Sequence, residues 1–122
     1  ENFESILKRK KEIDALYRSE LHGVGDIKFQ ENDTASDPNC WLFTFRTRKM
    51  RKLLNHLNNN KIQSRPFWTP MNNLPMYKDL TYITKKDISN KIFKECISIP
   101  SSSNLTIEDQ YKVISEIKNF YK

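Results

Sequence analysis

Residues 65–77 read Arg65-Pro66-Phe67-Trp68-Thr69-Pro70-Met71-Asn72-Asn73-Leu74-Pro75-Met76-Tyr77 and show no helical period. The run holds three prolines, and each proline fixes its own φ and removes a backbone donor. We therefore predict an extended, rigid loop between the regular elements on either side. Such a loop projects a cation, an indole, a phenol and side-chain amides, a set that suits a polar ligand. The alternative is a rigid crossover whose aromatic side chains fill a small core.

The chain before this loop is predicted to hold a long helix, a central strand and a second helix. Apolar residues recur at helical spacing over residues 3–21, and Gly23 is placed to end that helix in a left-handed conformation. The alternating residues 40–45 predict a strand with both faces buried. Thr47 is expected to cap the second helix, which ends in the asparagine run 58–60.

The chain after the loop is predicted to continue as helix, strand and helix. Thr84 with Asp87, and Thr106 with Asp109, predict capping boxes at two helix starts. Shorter strands are predicted at residues 27–30, 62–68 and 96–99. This order of elements predicts an α/β (α+β) fold, with a small antiparallel or mixed sheet of roughly three to four strands covered by about four helices.

The length and charge of the chain limit its architecture and its partners. A chain of 122 residues corresponds to one domain, so residues 1–122 are treated as a single domain. The formal net charge of +6 requires that a polyanion partner be considered. The one tight basic cluster is Lys8-Arg9-Lys10-Lys11, which we interpret as the solvated face of the first helix. The alternative is a stand-alone basic module that binds nucleic acid or protein through this cluster.

The sequence favours a cytoplasmic protein without a membrane partner. Cys40 and Cys96 lie far apart and without short ligand spacing, so free thiols are expected and a metal site is not. The first residues are polar and charged, unlike a signal peptide, and no apolar run is long enough to cross a bilayer. The chain opens at Glu1 inside a helical pattern, which is typical of a piece of a longer protein.

The sequence contains no complete catalytic apparatus. His22 and His56 are the only histidines, and neither has a carboxylate or a cysteine at ligand spacing. Gly23 and Gly25 have no third glycine behind them, which excludes a glycine-rich phosphate loop. We therefore assign no catalytic residue and no metal ligand in this chain.

The candidate binding residues all lie in the proline loop. Arg65 offers a forked guanidinium suited to a phosphate or a carboxylate. Trp68 and Tyr77 offer flat faces for a sugar or a base, and Asn72 and Asn73 offer hydrogen-bond donors and acceptors. Nucleotide-sugars and single-stranded nucleic acids are two ligand classes that suit this set.

Residues 62–77, together with the order of elements, resemble the C-terminal part of nucleotide-sugar aminotransferases of the DegT/DnrJ type. Ile97-Ser98-Ile99-Pro100 and the helix start Thr106-Ile107-Glu108-Asp109 also resemble the closing pattern of that family. These are pyridoxal-phosphate enzymes with the aspartate-aminotransferase fold, fold type I. The resemblance implies that the chain is the small C-terminal domain that closes over the active site of a larger enzyme.

The resemblance also implies roles for residues of the loop. Arg65 matches a characteristic arginine, which places it near the substrate or a partner subunit. Pro70, Pro75 and Tyr77 match the proline-histidine-proline-tyrosine loop of the family, but Asn72 stands where many members carry histidine. That asparagine resembles the branch that makes 4-amino sugars on a UDP carrier for surface glycans. The implied substrate-binding residues are Arg65, Trp68, Asn72 and Tyr77.

The resemblance further implies a cofactor and partners. Pyridoxal phosphate would belong to the parent enzyme, because the Schiff-base lysine and the acidic partner of the pyridine nitrogen lie in a large N-terminal domain that has no counterpart here. No residue of this chain is therefore assigned to the cofactor. The fragment would be inactive alone, would help to bind a keto nucleotide-sugar, and would support a homodimer. A UDP-linked 4-keto-6-deoxy sugar is the expected amino acceptor, and an amino donor is the second substrate.

Overall fold

The computed structural model describes residues 2–33 and 35–122, which form four α-helices and a four-stranded antiparallel sheet. The helices are α1 (Phe3–Leu21), α2 (Met50–Asn59), α3 (Ile88–Glu95) and α4 (Ile107–Tyr121). The strands are β1 (Lys28–Phe29), β2 (Phe43–Arg46), β3 (Arg65–Pro66) and β4 (Cys96–Ile99). The predicted α/β class and the predicted order of helices and strands are confirmed.

One face of the sheet carries the core. The strand order is β1-β2-β4-β3, and Phe45 lies opposite Ile97, which in turn lies opposite Pro66. Residues opposite one another share a face of the sheet, and Phe43 and Ile99 lie on this same face. The remaining buried apolar residues come from α1, α2 and α4: Ile13, Tyr17, Leu21, Met50, Leu53, Leu54, Leu57, Val113, Ile114 and Ile117.

The other face of the sheet is open, so the prediction of a strand at residues 40–45 with two buried faces is wrong. Trp41 and Leu42 precede β2 and are exposed, and Thr44 is half-buried. There are two physical reasons: β2 begins only at Phe43, which leaves Trp41 outside the sheet, and α1, α2 and α4 all pack on the face that carries Phe43 and Phe45. Helix α3 contributes no buried residue, so within the described residues no helix seals the second face.

Two of the predicted helix caps are also wrong. Thr47 is buried and lies ahead of the residue that caps α2. Asp87 itself occupies the N-cap of α3 in a left-handed conformation (φ 50°), and although its N–H donates to Thr84 Oγ1 at 2.9 Å, that bond lies outside the helix. Thr106, by contrast, caps α4 as predicted, because its Oγ1 accepts the N–H of Asp109 at 3.1 Å.

The strand predicted at residues 62–68 forms only at Arg65–Pro66. Proline cannot donate to a ladder and is confined to strand edges, and β3 is indeed an edge strand. The loop that precedes β3 is held by the side chain of Asn58 and not by strand pairing. Its side chain donates to the carbonyl of Ser64 at 3.3 Å and accepts the Ser64 N–H at 2.9 Å.

A polar cluster joins the turn before β1, the start of α2 and the end of α4. Thr47 Oγ1 donates to Asp26 Oδ1 at 2.6 Å, the Tyr121 hydroxyl donates to the same oxygen at 3.1 Å, and the Arg48 N–H donates to Asp26 Oδ2 at 2.8 Å. Burial alone would raise the pKa of Asp26, but these hydrogen bonds outweigh it and lower that pKa. Burial raises the pKa of Tyr121 to about 12, so its hydroxyl keeps its proton and can donate.

Gly25 allows this cluster to close. Its φ is +55°, and a Cβ at this position would overlap the aromatic ring of Tyr121. Gly23 ends α1 in a left-handed conformation as predicted (φ +76°), but a Cβ there would meet open space. Both positions favour glycine for backbone reasons, and only Gly25 also needs the missing side chain.

The basic cluster at residues 8–11 holds α1 against the loops of the sheet. Arg9 donates to the carbonyl oxygen of Leu105 at 2.7 Å. Lys10 donates to the carbonyl oxygens of Ser101 and of Trp41, the latter at 2.8 Å. Burial lowers the pKa of Lys10, as expected for an ammonium that has lost part of its water.

The interpretation of this cluster as a solvated face is therefore wrong for most of it. Lys11 pairs with Asp37 at 2.6 Å, and Lys8 is the cluster member without a partner among the described residues. Three of the four cations thus have partners within the chain. A cluster bonded in this way offers little charge to a polyanion, which weighs against the basic-module alternative.

We expect Gly25→Ala to lower the free energy of unfolding by about 3 kcal/mol or more, since the left-handed backbone costs an alanine about 1–2 kcal/mol and overpacking adds about 1–3 kcal/mol. Gly23→Ala carries only the backbone cost and should lower it by about 1–2 kcal/mol. Urea unfolding of both variants measures the difference. Equal losses would show that Gly25 has no special packing role.

We expect Lys10→Met to lower the free energy of unfolding by about 1–3 kcal/mol, because two carbonyl oxygens lose their donor. Lys8→Met is the matched control and should change it by less than about 0.5 kcal/mol. Chemical denaturation measures both variants, and heparin binding is measured in parallel. Tight, salt-sensitive heparin binding that Lys8→Met abolishes would restore the basic-module alternative.

Candidate functional site

A cleft of about 670 Å³ follows the open face of the sheet. Thr44, Arg46 and Cys96 line it from the two central strands, and Lys28 lines it from the edge strand β1. The Thr44 hydroxyl forms a hydrogen bond with the hydroxyl of Ser98, which lies opposite it, at 2.8 Å. The floor of the cleft therefore presents a hydroxyl group and cations between walls that are mostly apolar, and it suits a ligand that has both polar groups and rings.

Two tryptophans form the aromatic wall of this cleft. The predicted residue Trp68 packs against Trp41 with ring centroids 5.9 Å apart, and Phe67 lies 5.4 Å from Trp68. Each indole remains 62% exposed, which is unusual for so large an apolar group. The sequence alone does not mark Trp41 as a site residue, because alternation assigns it to a buried face and no local pattern indicates its contact with Trp68.

Arg65 lies on β3 opposite Ser98, so it shares the open face with the hydroxyl floor. Its side chain is exposed and has no acceptor among the described residues. Arg46, on the same face, is instead paired with Glu95. Arg65 is thus an available guanidinium at the edge of the sheet, outside the residues that line the cleft.

Asn72 and Tyr77 lie outside the cleft, on two 3₁₀ turns, Met71–Asn73 and Pro75–Tyr77. The prediction of an extended loop is therefore wrong for these two turns. The fixed φ of proline suits the first turn of a helix, and Pro75 occupies that position in the second turn. Both predicted residues are half-buried. The structure thus brings Trp68 and Arg65 to one face of the sheet and sets the other two on the following loop.

The segment from Arg65 to Cys96 contributes nothing to the core, since none of its residues is buried. It nevertheless carries many exposed apolar side chains, and Ile83 is 89% exposed. The others are Trp68, Met71, Met76, Leu80, Tyr82, Ile88 and Ile92. An apolar surface of this extent is typical of a region that another surface covers.

The remaining ionisable groups do not build a second reactive site. His56 Nε2 lies 3.1 Å from Glu116 Oε2, a contact between α2 and α4 that chain spacing could not reveal. Cys40 and Cys96 are free thiols, and burial raises the pKa of both. Among the described residues, no group of three or more histidine, cysteine or acidic side chains could hold a metal ion. No described helix is both long and apolar enough to span a membrane.

A second cleft, of about 660 Å³, lies between α4 and the loop at residues 60–63. Its rim mixes acidic and basic side chains, including Glu108, Asp109 and Lys112. None of the predicted substrate-binding residues lines it. The open face of the sheet therefore remains the better candidate site.

The sequence profile of the DegT/DnrJ/EryC1/StrS aminotransferase family matches residues 1–118. The chain is 30% identical over 126 aligned positions to a GDP-perosamine synthase from Vibrio cholerae, an alignment that covers 99% of this chain and 34% of the relative. A GDP-perosamine synthase from Escherichia coli O157:H7 is 25% identical, with 99% of this chain and 33% of the relative covered. The chain thus spans about a third of the length of these relatives.

Solved structures confirm the fold. DesV from S. venezuelae superposes with a TM-score of 0.88 at 23% identity, covering 98% of this chain and 33% of that chain. The sugar aminotransferase CalS13 from Micromonospora echinospora superposes with a TM-score of 0.84 at 20% identity, covering 95% of this chain and 31% of that chain. At these identities the likeness concerns architecture alone.

Proposed function

The chain belongs to the DegT/DnrJ/EryC1/StrS aminotransferase family, and we propose that residues 1–122 form the C-terminal domain of a pyridoxal-phosphate-dependent enzyme that transfers an amino group to a keto nucleotide-sugar. The full-length polypeptide that contains this chain is called the parent. The observation that carries the proposal is the family match over residues 1–118. The matching fold and the polar, aromatic-walled cleft support it.

The residues of this chain do not fit pyridoxal phosphate by themselves. The cofactor supplies an electron sink and needs a free amine to hold its aldehyde carbon. Lys10 is the lysine whose pKa burial lowers, but its ammonium is already bonded to two carbonyl oxygens. Lys28 lines the cleft but is exposed. The proposal therefore assigns the cofactor to the rest of the parent, assigns no chemical step to this chain, and takes the chain to be inactive alone.

The contribution of the domain to substrate binding is positional. Arg65 would hold a phosphate of the nucleotide, because its guanidinium is available on the open face. Trp68 would stack on a flat ring of the substrate, since its indole is exposed at the cleft wall. Asn72 and Tyr77 would contact polar groups of the substrate from the following loop, where both are half-buried.

Two carriers are candidates for the sugar. The asparagine at position 72 favours a UDP-linked 4-keto-6-deoxy sugar through its resemblance to that branch of the family. The names of the relatives from Vibrio cholerae and Escherichia coli favour a GDP-linked sugar instead. Either product would be an amino sugar of the kind used in surface glycans.

The apolar segment after Arg65 is proposed to pack against the rest of a dimeric parent and leave the cleft to the substrate. Its exposed side chains, such as Met76 and Ile83, are apolar groups of the kind that protein interfaces cover. The absence of any buried residue from Arg65 to Cys96 leaves that segment dependent on such a cover. Free thiols at Cys40 and Cys96 fit the reducing cytoplasm, which we retain as the proposed location.

We expect the purified parent to be a dimer that shows the visible absorption of bound pyridoxal phosphate and loses it when an amino-acid donor is added. Incubation with UDP-linked and GDP-linked 4-keto-6-deoxy sugars then identifies the carrier by the appearance of the aminated product. Residues 1–122 alone serve as the control and should show neither absorption nor turnover. A colourless parent, or one that aminates neither sugar, would overturn the proposed function.

We expect Arg65→Ala in the parent to raise KM for the nucleotide-sugar about tenfold or more, because a charge-assisted hydrogen bond contributes about 1.5–3 kcal/mol. Arg65→Lys should recover only part of this loss, since it keeps the charge but not the fork. Lys52→Ala removes an exposed charge on α2, outside the cleft, and is the matched control. Steady-state kinetics with the nucleotide-sugar and with the amino donor separate the effects. If Arg65→Ala and Lys52→Ala behave alike, Arg65 has no specific role.

A further inference from the structure

We propose that Asp87 and Asn90 are positioning residues that fix the side-chain amide of Asn72 through Asn73, so that Asn72 turns its carbonyl oxygen toward the substrate. The inference rests on the proposed function and refines one of its residues. It assigns Asn72 to a hydrogen-bond donor of the nucleotide-sugar, a hydroxyl or an amino group, and leaves phosphate to Arg65.

The structural basis is a continuous line of side-chain hydrogen bonds from α3 to the first 3₁₀ turn. Asn90 Nδ2 donates to Asp87 Oδ1 at 2.7 Å. Asn73 Nδ2 donates to Asn90 Oδ1, and Asn72 Nδ2 donates to Asn73 Oδ1 at 3.0 Å. The line therefore joins the turn that carries Asn72 to a helix start that lies well beyond it along the chain.

The carboxylate of Asp87 gives this line its direction. An ionised carboxylate can only accept, whereas each amide has one accepting end and one donating end. Asn90 must therefore turn its NH₂ to Asp87 and its oxygen to Asn73. Asn73 must then turn its NH₂ to Asn90 and its oxygen to Asn72. Asn72 must in turn direct its NH₂ to Asn73. Reversing any one amide would set two oxygens or two NH₂ groups against each other.

Asp87, where this line of hydrogen bonds begins, is itself held by further hydrogen bonds. Asp87 Oδ1 also accepts the hydroxyl of Tyr82 at 3.0 Å, and the Asp87 N–H donates to Thr84 Oγ1 at 2.9 Å. Asp87 adopts a left-handed conformation (φ 50°), which is uncommon for a residue other than glycine but which aspartate tolerates. The carboxylate of this exposed residue is therefore bonded to both Tyr82 and Asn90.

The other end of the line is available to a ligand. Asn72 is half-buried, and its Oδ1 has no donor among the described residues. A carbonyl oxygen recognises a hydroxyl or an N–H group. A phosphate diester or diphosphate at neutral pH has no proton to offer there. The direction of the hydrogen bonds thus selects which part of a nucleotide-sugar Asn72 can contact.

A double-mutant cycle in the parent tests this dependence, with the keto nucleotide-sugar that the parent turns over as the probe. Asn72→Ala should raise its KM about three- to tenfold, the loss of one neutral hydrogen bond, and Asn90→Ala should raise it by a smaller factor. In the Asn72→Ala background, Asn90→Ala should have no further effect, because its action passes through Asn72. The KM for the amino donor should not change in any of these variants. Asn59→Ala, which removes an exposed amide on α2, is the matched control.

A variant that no longer needs a fixed amide at position 72 distinguishes orientation of Asn72 from general structural support by Asn90. Asn72→Asp presents an oxygen in either orientation and cannot donate to Asn73, so it gains nothing from a fixed Asn73 amide. In that background Asn90→Ala should therefore no longer raise KM. If Asn90→Ala prevents folding, Asp87→Asn replaces it, because this change keeps the size of the side chain and removes only the fixed direction. Additive effects of Asn72→Ala and Asn90→Ala, or an Asn90→Ala variant equal to wild type, would overturn the inference while the proposed function stands. A wild-type parent that aminates no nucleotide-sugar would overturn both.

Discussion

The antiparallel pairing that sets Phe45 opposite Ile97 is the contact on which the rest of the structure depends. Side chains alternate across a sheet, so a slip of one residue would turn the buried strand residues to the open face and expose the core. The same pairing sets Thr44 opposite Ser98 and thereby builds the hydroxyl floor of the cleft. One strand register thus fixes both the core and the cleft, so a change of register would disrupt both.

The elements that could be predicted from the sequence are those whose signal is local. Thr106 and Asp109 lie three positions apart and form a working cap, and the glycine at position 23 ends α1 with a positive φ. Burial on one side of the sheet could not be predicted in this way. Trp41 has the same parity as Phe43 and Phe45 yet is exposed, because β2 begins only at Phe43 and Trp41 lies outside its pairing with β4.

The same limit applies to the candidate site and to the charged residues. The loop residues were predicted from their chemistry alone, but the groups that orient them come from elsewhere in the chain, as Trp41 does for Trp68 and Asn90 does for Asn73. The cations of α1 looked solvated because their acceptors are backbone carbonyls, which every sequence contains and no sequence pattern marks. Lys10 and its two carbonyl partners show this most clearly.

The lack of buried residues from Arg65 to Cys96 has a consequence for the energetics of the chain. Segments with few buried apolar contacts open at a fraction of the global free energy of unfolding, whereas core helices exchange their amide protons only when the whole domain opens. We therefore expect a cooperative core, built by α1, α2, α4 and the strands β1, β2 and β4, and a segment between β3 and β4 that opens at a lower free energy. A partner that covers the segment must supply the free energy of ordering it, so the strength of that association is set partly by local stability and not by contact area alone.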